Sequence, residues 1–361
     1  MKAIAITWSK GKTTIEHLLT EVFMGMGKHV LHIGTEGIRY DDVIQKPEPG
    51  ASKLEFKQDT HPIDFAIIEA ISNTLRRASI PCHIAVFTNI EHNEHGDVHW
   101  TFENYLKCKK RLFDEMKPDG VAIVNADDPN TSEIIKDCKC KIITFGRKLT
   151  CDYVINNIKI DSEWTNFTIN WLKLHTSLLG EFNIYNIAAS VAILNQCDII
   201  SMNIAERTPA PGRFERFNID SNIVILDYAH TVNSLEKTLQ LIRKIYWDRN
   251  LVTVFGCGGA RDRTKRPMMG KIALNYSDYV YVTTDNPRCE KPEDIISDIV
   301  GANEEYQFDV ILDREDAIHA AINENTDSII LIAWRGNETE CEWWDKKIPM
   351  EDRKFILSCK K

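Results

Sequence analysis

The chain has 361 residues, enough for two or three domains at the usual ~150 residues each, and 43% of them are hydrophobic against 27% charged. A formal net charge of -9 argues against nucleic acid as a general partner, because non-specific binding to a polyanion needs a basic surface. No run approaches the ~20 apolar residues of a membrane span, and the ten scattered cysteines lack the spacing of a disulfide scaffold, so a cytoplasmic protein without a membrane partner is expected.

Short apolar, β-branched runs alternate with longer amphipathic stretches. "KAIAIT" leads through a polar loop into the helix-like "TTIEHLLTEVFMGMG", and "HVLHIG", "DFAIIEA", "IAVFTNI", "GVAIVNAD" and "KIITFG" follow. Strands apolar on both faces and separated by helices predict a mostly parallel sheet covered on both sides. Between residues 151 and 175, "CDYVINNIKI" and "WTNFTINWLKL" read as adjacent antiparallel strands, a small flap on the first domain. "AERTPAPGRFER", residues 205–216, carries the linker signals, two prolines and a glycine. Beyond it "NIVILDYAH", "LVTVFGCGG", "YVYVTTD", "FDVILD" and "SIILIAW" predict a second α/β domain. The expected division is 1–210 and 211–361.

The chemistry begins at "TWSKGKTT". A strand that ends in a glycine-containing turn and feeds a helix aims backbone N–H groups, and the positive helix end, at phosphate oxygens. Gly11 permits close approach, Lys12 would reach the β- and γ-phosphates, and Thr13 would offer its hydroxyl to Mg²⁺. Lys10 and Thr14 flank them, although Trp8 stands where such loops carry glycine. Glu69 closes "DFAIIEA", where a carboxylate could complete a Mg²⁺ shell or cap a helix. "FTNIEHNEHGDVHW" sets His92, His95 and His99 among carboxylates and suits a second metal position. In "FENYLKCKKRLF", Lys107, Lys109, Lys110 and Arg111 cannot share one helical face, so most should meet solvent. Cys138, Cys140 and Cys151 could seed a zinc site but lack a CxxC pair and a fourth ligand.

Taken together, "GKTT", "IEAIS", "FTNIEHNEHGD", "YLKCKKRLF", "VAIVNADDP", "LLGEFNIYNIAA", "PGRFER", "LDYAHT", "VFGCGGARDRTKRPMMG", "TTDNPR" and "RGNE" occur in an order that resembles the Mur ligase family, and most closely its muramyl-tripeptide synthetases. The resemblance covers almost the whole chain. It implies a P-loop-type central domain followed by a Rossmann-like C-terminal domain, and an enzyme that uses ATP and two Mg²⁺ ions to join a carboxylate to an amino acid through an acyl phosphate. Residue by residue it implies Lys12 and Thr13 as the phosphate-loop pair, Glu69 and either His92 or His95 as magnesium ligands, and a carbamylated Lys109. It also implies Asn186 beside adenine; Arg213, Asp227 and His230 toward ATP; and Asp285, Asn286, Arg288, Gly336 and Glu338 as the amino-acid site.

Two differences shape the expectations. The family glycine of a "GKGHE"-like segment is Trp334 here, which would place an indole in the amino-acid pocket. Mur ligases also carry an N-terminal domain that binds the UDP of a nucleotide sugar, whereas this chain begins at the ATP domain. The expected acceptor is therefore a carboxylate without UDP; the alternatives are a separate UDP-recognising chain, or a nucleotide-binding regulatory subunit that has lost catalysis.

Overall fold

The structure, a computed structural model, describes residues 1–7, 11–34, 37–41, 43–45, 62–90, 101–200, 203–301 and 308–359. Trp8, Lys10, His92, His95 and His99 lie outside these residues. The chain divides into two compact units, Met1–Thr208 and Pro209–Lys361.

In the first unit, strand β1 (Lys2–Thr7) leads into helix α1 (Lys12–Gly25), followed by β2 (Val30–Gly34), β3 (Gly37–Tyr40), β4 (Val43–Gln45), β5 (Phe65–Glu69), α2 (Ser72–Arg77) and β6 (Ile84–Phe87). Then come α3 (Phe102–Asp114), β7 (Val121–Asn125), α4 (Thr131–Ile134), β8 (Lys141–Gly146), β9 (Tyr153–Ile160), β10 (Thr165–Ile169), β11 (Leu172–Thr176) and α5 (Glu181–Asn195). The strands form one sheet in the order β11-β10-β9-β8-β7-β6-β1-β5-β2-β3-β4, parallel from β9 to β2 and antiparallel beyond at either edge.

Alternation along β1 divides the core. Ile4 and Ile6 join the apolar cluster that includes Leu18, Phe23, Ile67 and Ile187, while Ala3 and Ala5 join Leu31, Ile68, Phe87, Tyr105 and Phe113 on the other face. Helix α5 is buried almost all round because it packs against both the main sheet and the flap residues Ile155, Phe167 and Leu174, so its sequence shows no polar stripe. The flap differs from the expected strand pair. "WTNFTINWLKL" breaks into β10 and β11 at Asn170, whose φ of +54° turns the chain without glycine or proline.

The second unit contains β12 (Glu215–Ile219), β13 (Asn222–Asp227), α6 (Val232–Ile245), β14 (Asn250–Phe255), α7 (Lys265–Tyr276), β15 (Tyr279–Val282) and α8 (Pro292–Val300). It continues through β16 (Asp309–Val310), α9 (Arg314–Asn323), β17 (Ser328–Ala333), β18 (Glu340–Trp343), β19 (Lys346–Pro349) and α10 (Asp352–Ser358). Its sheet runs β12-β13-β17-β14-β15-β16, parallel except for β12, and β18-β19 form a separate hairpin.

Candidate active site

Ligands of open α/β sheets gather at the carboxyl ends of the strands, and each unit carries its chemical residues there. In the first unit Gly11 precedes α1 with φ +99°, a conformation natural to glycine. A β-carbon at Gly11 would lie 2.4 Å from Asn186 Oδ1, so the glycine lets the loop pass directly over the α5 asparagine. Asn186 is buried and donates from Nδ2 to Asn183 Oδ1 at 3.2 Å, and Asn183 in turn donates to the Leu179 carbonyl at 2.8 Å. The structure thus brings Asn186 to the phosphate loop. Helix α1 has no side-chain cap and no acidic residue in its first turn, Lys12-Thr13-Thr14, which leaves its positive end suited to an anion.

Glu69 ends β5 and is buried beside this loop. The Ala70 carbonyl accepts from Thr7 Oγ1 at 2.8 Å and from Lys109 Nζ at 3.4 Å, so the ends of β1 and β5 and the middle of α3 converge. Of the four basic residues on that helix, Lys109 is the buried one, its Nζ 5.4 Å from the Tyr105 ring centroid. Lys110 instead pairs with Asp114 and Asp137, and Arg111 donates to the Leu75 carbonyl. His32 on β2 was not expected in this neighbourhood. Its Nε2 is 2.7 Å from the buried Glu16, and its ring and Glu69 both border Gly34. The oxygens here, the Glu69 carboxylate and the Ala70 carbonyl, are of the hard kind that Mg²⁺ takes, whereas the Lys109 amine would join such a set only once carbamylated. Cys138 and Cys140 lie with sulfurs 3.2 Å apart, but all ten cysteines are free, and among the described residues no three His, Cys, Asp or Glu side chains form a metal cluster.

In the second unit Asp227 ends β13 and holds its surroundings. Its Oδ2 accepts from the Phe214 N–H at 2.9 Å, its Oδ1 from the Thr238 hydroxyl at 3.2 Å. Arg213, carried by the same turn, lies over the Tyr228 ring at 4.5 Å. His230 Nδ1 is 3.0 Å from the Tyr228 carbonyl. Gly212 and Gly336 cross back to back, a β-carbon on Gly212 falling 2.3 Å from the Gly336 carbonyl carbon, so Gly336 serves a close backbone crossing.

Trp334 has φ +98° and is 6% exposed. Its indole packs edge-on to His230 at 6.2 Å and lies under Lys265 Nζ at 4.7 Å, so the ring is engaged within the core of the second unit. Burial pushes the Lys265 ammonium below the usual lysine value. Lys265 has the chemistry of a phosphate-side cation, and its signal was the cluster of basic residues in "GARDRTKRP".

The loop after β15 is heavily braced. Asp285 Oδ1 lies 3.3 Å from Arg335 Nη1, Asn286 donates to Glu338 Oε2 at 2.8 Å, and Tyr228 donates to Glu338 Oε1 at 3.1 Å. Arg314 grips Asp352 with two prongs of 2.8 and 2.7 Å and donates to the Ala333 carbonyl at 2.9 Å. Asp285 Oδ2 is buried with no hydrogen-bond partner, an acceptor available to an amine. Burial, reinforced by the Asp285 charge, raises the Glu338 carboxyl above the usual range. Arg288 has φ +51° and is bound by Glu342 of β18, which sequence reasoning did not single out. A cavity of ≈530 Å³ beside this loop is lined by Arg263, Cys289, Lys291, Asp294, Asp298 and Trp344 among others, and none of the expected amino-acid residues borders it.

An anion-ready glycine loop at the end of one parallel sheet, and a braced loop of acids and arginines at the end of a second, define an ATP-dependent carboxylate–amine ligase. The description "Mur ligase middle domain" matches residues 6–194 and "Mur ligase, glutamate ligase domain" matches residues 212–334; the chain belongs to the Mur ligase family. It is 34% identical to the UDP-N-acetylmuramoyl-L-alanyl-D-glutamate–2,6-diaminopimelate ligase of Syntrophomonas wolfei, covering 98% of this chain and 77% of that protein. It is 35% identical to the enzyme of the same name from Prochlorococcus marinus, over 98% and 76%. A solved 2,6-diaminopimelate ligase of this kind superposes with a TM-score of 0.65 at 29% identity, over 99% of this chain and 78% of its own. Mycobacterium tuberculosis folylpolyglutamate synthase, solved with ADP and AMPPCP, shares the fold with a TM-score of 0.71 at 16% identity, over 92% and 88%. Among the described residues no helix is long and apolar enough to cross a membrane.

Proposed function

We propose that this ligase activates a substrate carboxylate as an acyl phosphate and couples it to the amine of an amino acid, with Lys12, Thr13, Glu69 and Lys109 on the phosphate side and the 285–288 loop on the amine side. The carrying observation is the start of α1 on a left-handed Gly11 with no acidic residue in its first turn, because the positive end of a helix is stabilised by an anion. Lys10, Thr14 and Asn186 complete the nucleotide contacts in this reading. Arg213, Asp227 and His230 act toward ATP, Arg213 directly and Asp227 by fixing the turn that carries it.

The carboxylate attacks the γ-phosphorus and ADP leaves; the amine then attacks the acyl carbon and expels phosphate. Lys12 stabilises the charge on the transferring group, an electrostatic role that needs no protein nucleophile. Two Mg²⁺ ions, held by Thr13, Glu69, His92 and a carbamylated Lys109, would neutralise phosphate charge. Lys109 is buried, with its Nζ beside the Ala70 carbonyl at the end of β5, away from bulk solvent. Asp285 Oδ2, buried without a hydrogen-bond partner, would accept a proton of the incoming amine, and Asn286, Arg288, Gly336 and Glu338 shape the rest of that site in this reading.

The second reading, a muramyl-tripeptide synthetase using diaminopimelate, is favoured by the names of the relatives and by the arginine of "DNPR". Its acceptor recognition would come from a further UDP-binding element.

The test is phosphate release from ATP over a matrix of carboxylates and amino acids, with the muramyl dipeptide nucleotide among them. Release that needs both partners supports the ligase, and turnover of the muramyl nucleotide selects the second reading. ATP binding without release under any pair would leave a regulatory nucleotide-binding subunit. ¹³C-bicarbonate should give a carbamate carbon signal in the wild type that is lost in Lys109→Ala. Its absence from the wild type would remove Lys109 from the metal set.

A further inference from the structure

We propose that Glu342 sets which amino acid the ligase accepts, by keeping a negative charge on the guanidinium of Arg288 and so opposing an amine substrate with a second carboxylate at that end. The inference rests on the reading of the 285–288 loop as the amine site. An arginine recognises a carboxylate best through two parallel N–H bonds from one edge of its planar fork. Here both two-pronged edges are half occupied: Nε donates to Glu342 Oε2 at 2.8 Å, and Nη1 donates to the Gly259 carbonyl at 2.9 Å.

The arrangement is fixed by backbone as well as side chain. The Arg288 N–H donates to the Glu342 carbonyl at 2.9 Å, the Trp344 N–H donates to the Arg288 carbonyl at 2.7 Å, and the Glu342 N–H donates to Asn286 Oδ1 at 2.8 Å. A β-carbon on Gly258 would lie 2.9 Å from Arg288 Nη1, so that glycine makes room for the guanidinium where it now rests. The neighbouring Asp285 is neutralised by Arg335 rather than by Arg288. A substrate carboxylate reaching Arg288 therefore meets the Glu342 charge at close range, whereas a neutral or cationic side chain does not. The Glu342 side chain is 48% exposed, so its repulsion is screened and its effect belongs in the range of about tenfold in affinity rather than a complete block.

Lysine and diaminopimelate make the matched probe, since they differ by one carboxylate on the terminal carbon. Calorimetric titration of each into the whole chain, with a non-hydrolysable ATP analogue present, gives the ratio of their dissociation constants. Glu342→Gln keeps the side-chain size and the backbone contacts while removing the charge. It should move the ratio toward diaminopimelate by about tenfold. Glu340→Gln, which removes an exposed partner of Lys347 one turn of strand away, should leave the ratio alone. A ratio unchanged by Glu342→Gln, or moved toward lysine because Glu342 aims Arg288 at a carboxylate, overturns the role of Glu342 while leaving the amine site intact. Failure of both amino acids to bind the wild type overturns the amine-site reading, and this inference with it.

Discussion

The Gly11 loop of the first unit, proposed above for the nucleotide, and the 285–288 loop of the second, proposed for the amine, are built on opposite principles. Around Gly11 the protein supplies backbone N–H groups, a helix end without acid, and a neutral asparagine pressed against the glycine. Around Asp285 it supplies a buried lattice of charge in which Arg314, Arg335, Asp285 and Asp352 are each nearly inaccessible. A loop that offers backbone N–H groups and a positive helix end suits a large, highly charged ligand. A loop made of paired charges is costly to desolvate and rigid once assembled, which suits discrimination among small substrates.

The contrast is broken most forcefully at Asp352. Both of its oxygens are gripped by Arg314, and Arg335 Nε lies 3.8 Å from Oδ1. Asp352→Ala leaves two guanidinium groups buried with less countercharge, and the expected cost is about 3–5 kcal/mol of stability in urea denaturation of the chain. A loss below about 1 kcal/mol, the level of exposed pairs, would mean that the lattice is not what holds the second unit together.

Lys12→Ala should behave in the opposite way. The residue opens α1 and is only half-buried, so unfolding should change by no more than about 0.5 kcal/mol. Phosphate release should fall by roughly 10²–10³-fold, the usual cost of removing one donor aimed at developing charge. A variant equally stable and equally active would take Lys12 out of the phosphate site and erase the contrast.

The same two principles explain what the sequence disclosed. Alternating apolar runs such as "KAIAIT" and "DFAIIEA" reveal parallel strands because both sheet faces are covered, and the Gly11–Thr13 loop is a contiguous motif. The edge strands β3 and β4 are short, and Arg39 on β3 reaches Glu16, so neither carries an apolar run. The turn at Asn170 is made by a left-handed asparagine, without the glycine or proline that would have marked it in the sequence. In the amine loop, partners lie 38 residues apart for Arg314 and Asp352 and 54 apart for Arg288 and Glu342. Arg314, Asp352 and Glu342 each read alone as a charge facing water, and only the folded register brings them to the loop that carries Arg288. Trp334, whose motif position pointed to a substrate pocket, packs on His230 and Lys265, contacts that the motif alone does not reveal.

The finest test of the contrast is Glu338→Gln, because it removes charge from the lattice without removing volume. Glu338 accepts from Asn286 and Tyr228; glutamine can keep the Tyr228 bond through its carbonyl oxygen, but its NH2 then faces the Asn286 Nδ2 donor, a lost bond that costs the same at every pH. Burial comes first among the causes that raise the carboxyl, with the charge of Asp285 next, so the folded state resists ionisation of Glu338 more than the unfolded chain does. The sign follows from linkage: a carboxyl whose folded value is raised favours the fold while protonated, and that advantage is lost as pH rises from the ordinary carboxylate value through the folded one. Glutamine has no such loss. The melting temperature of Glu338→Gln relative to wild type should therefore climb as pH is raised across that window and stay level above it. If the difference stays flat, or falls because the ionised Glu338 is stabilised by Arg335 at 3.6 Å, then the arginine dominates and the loop is held by ion pairing at this position too.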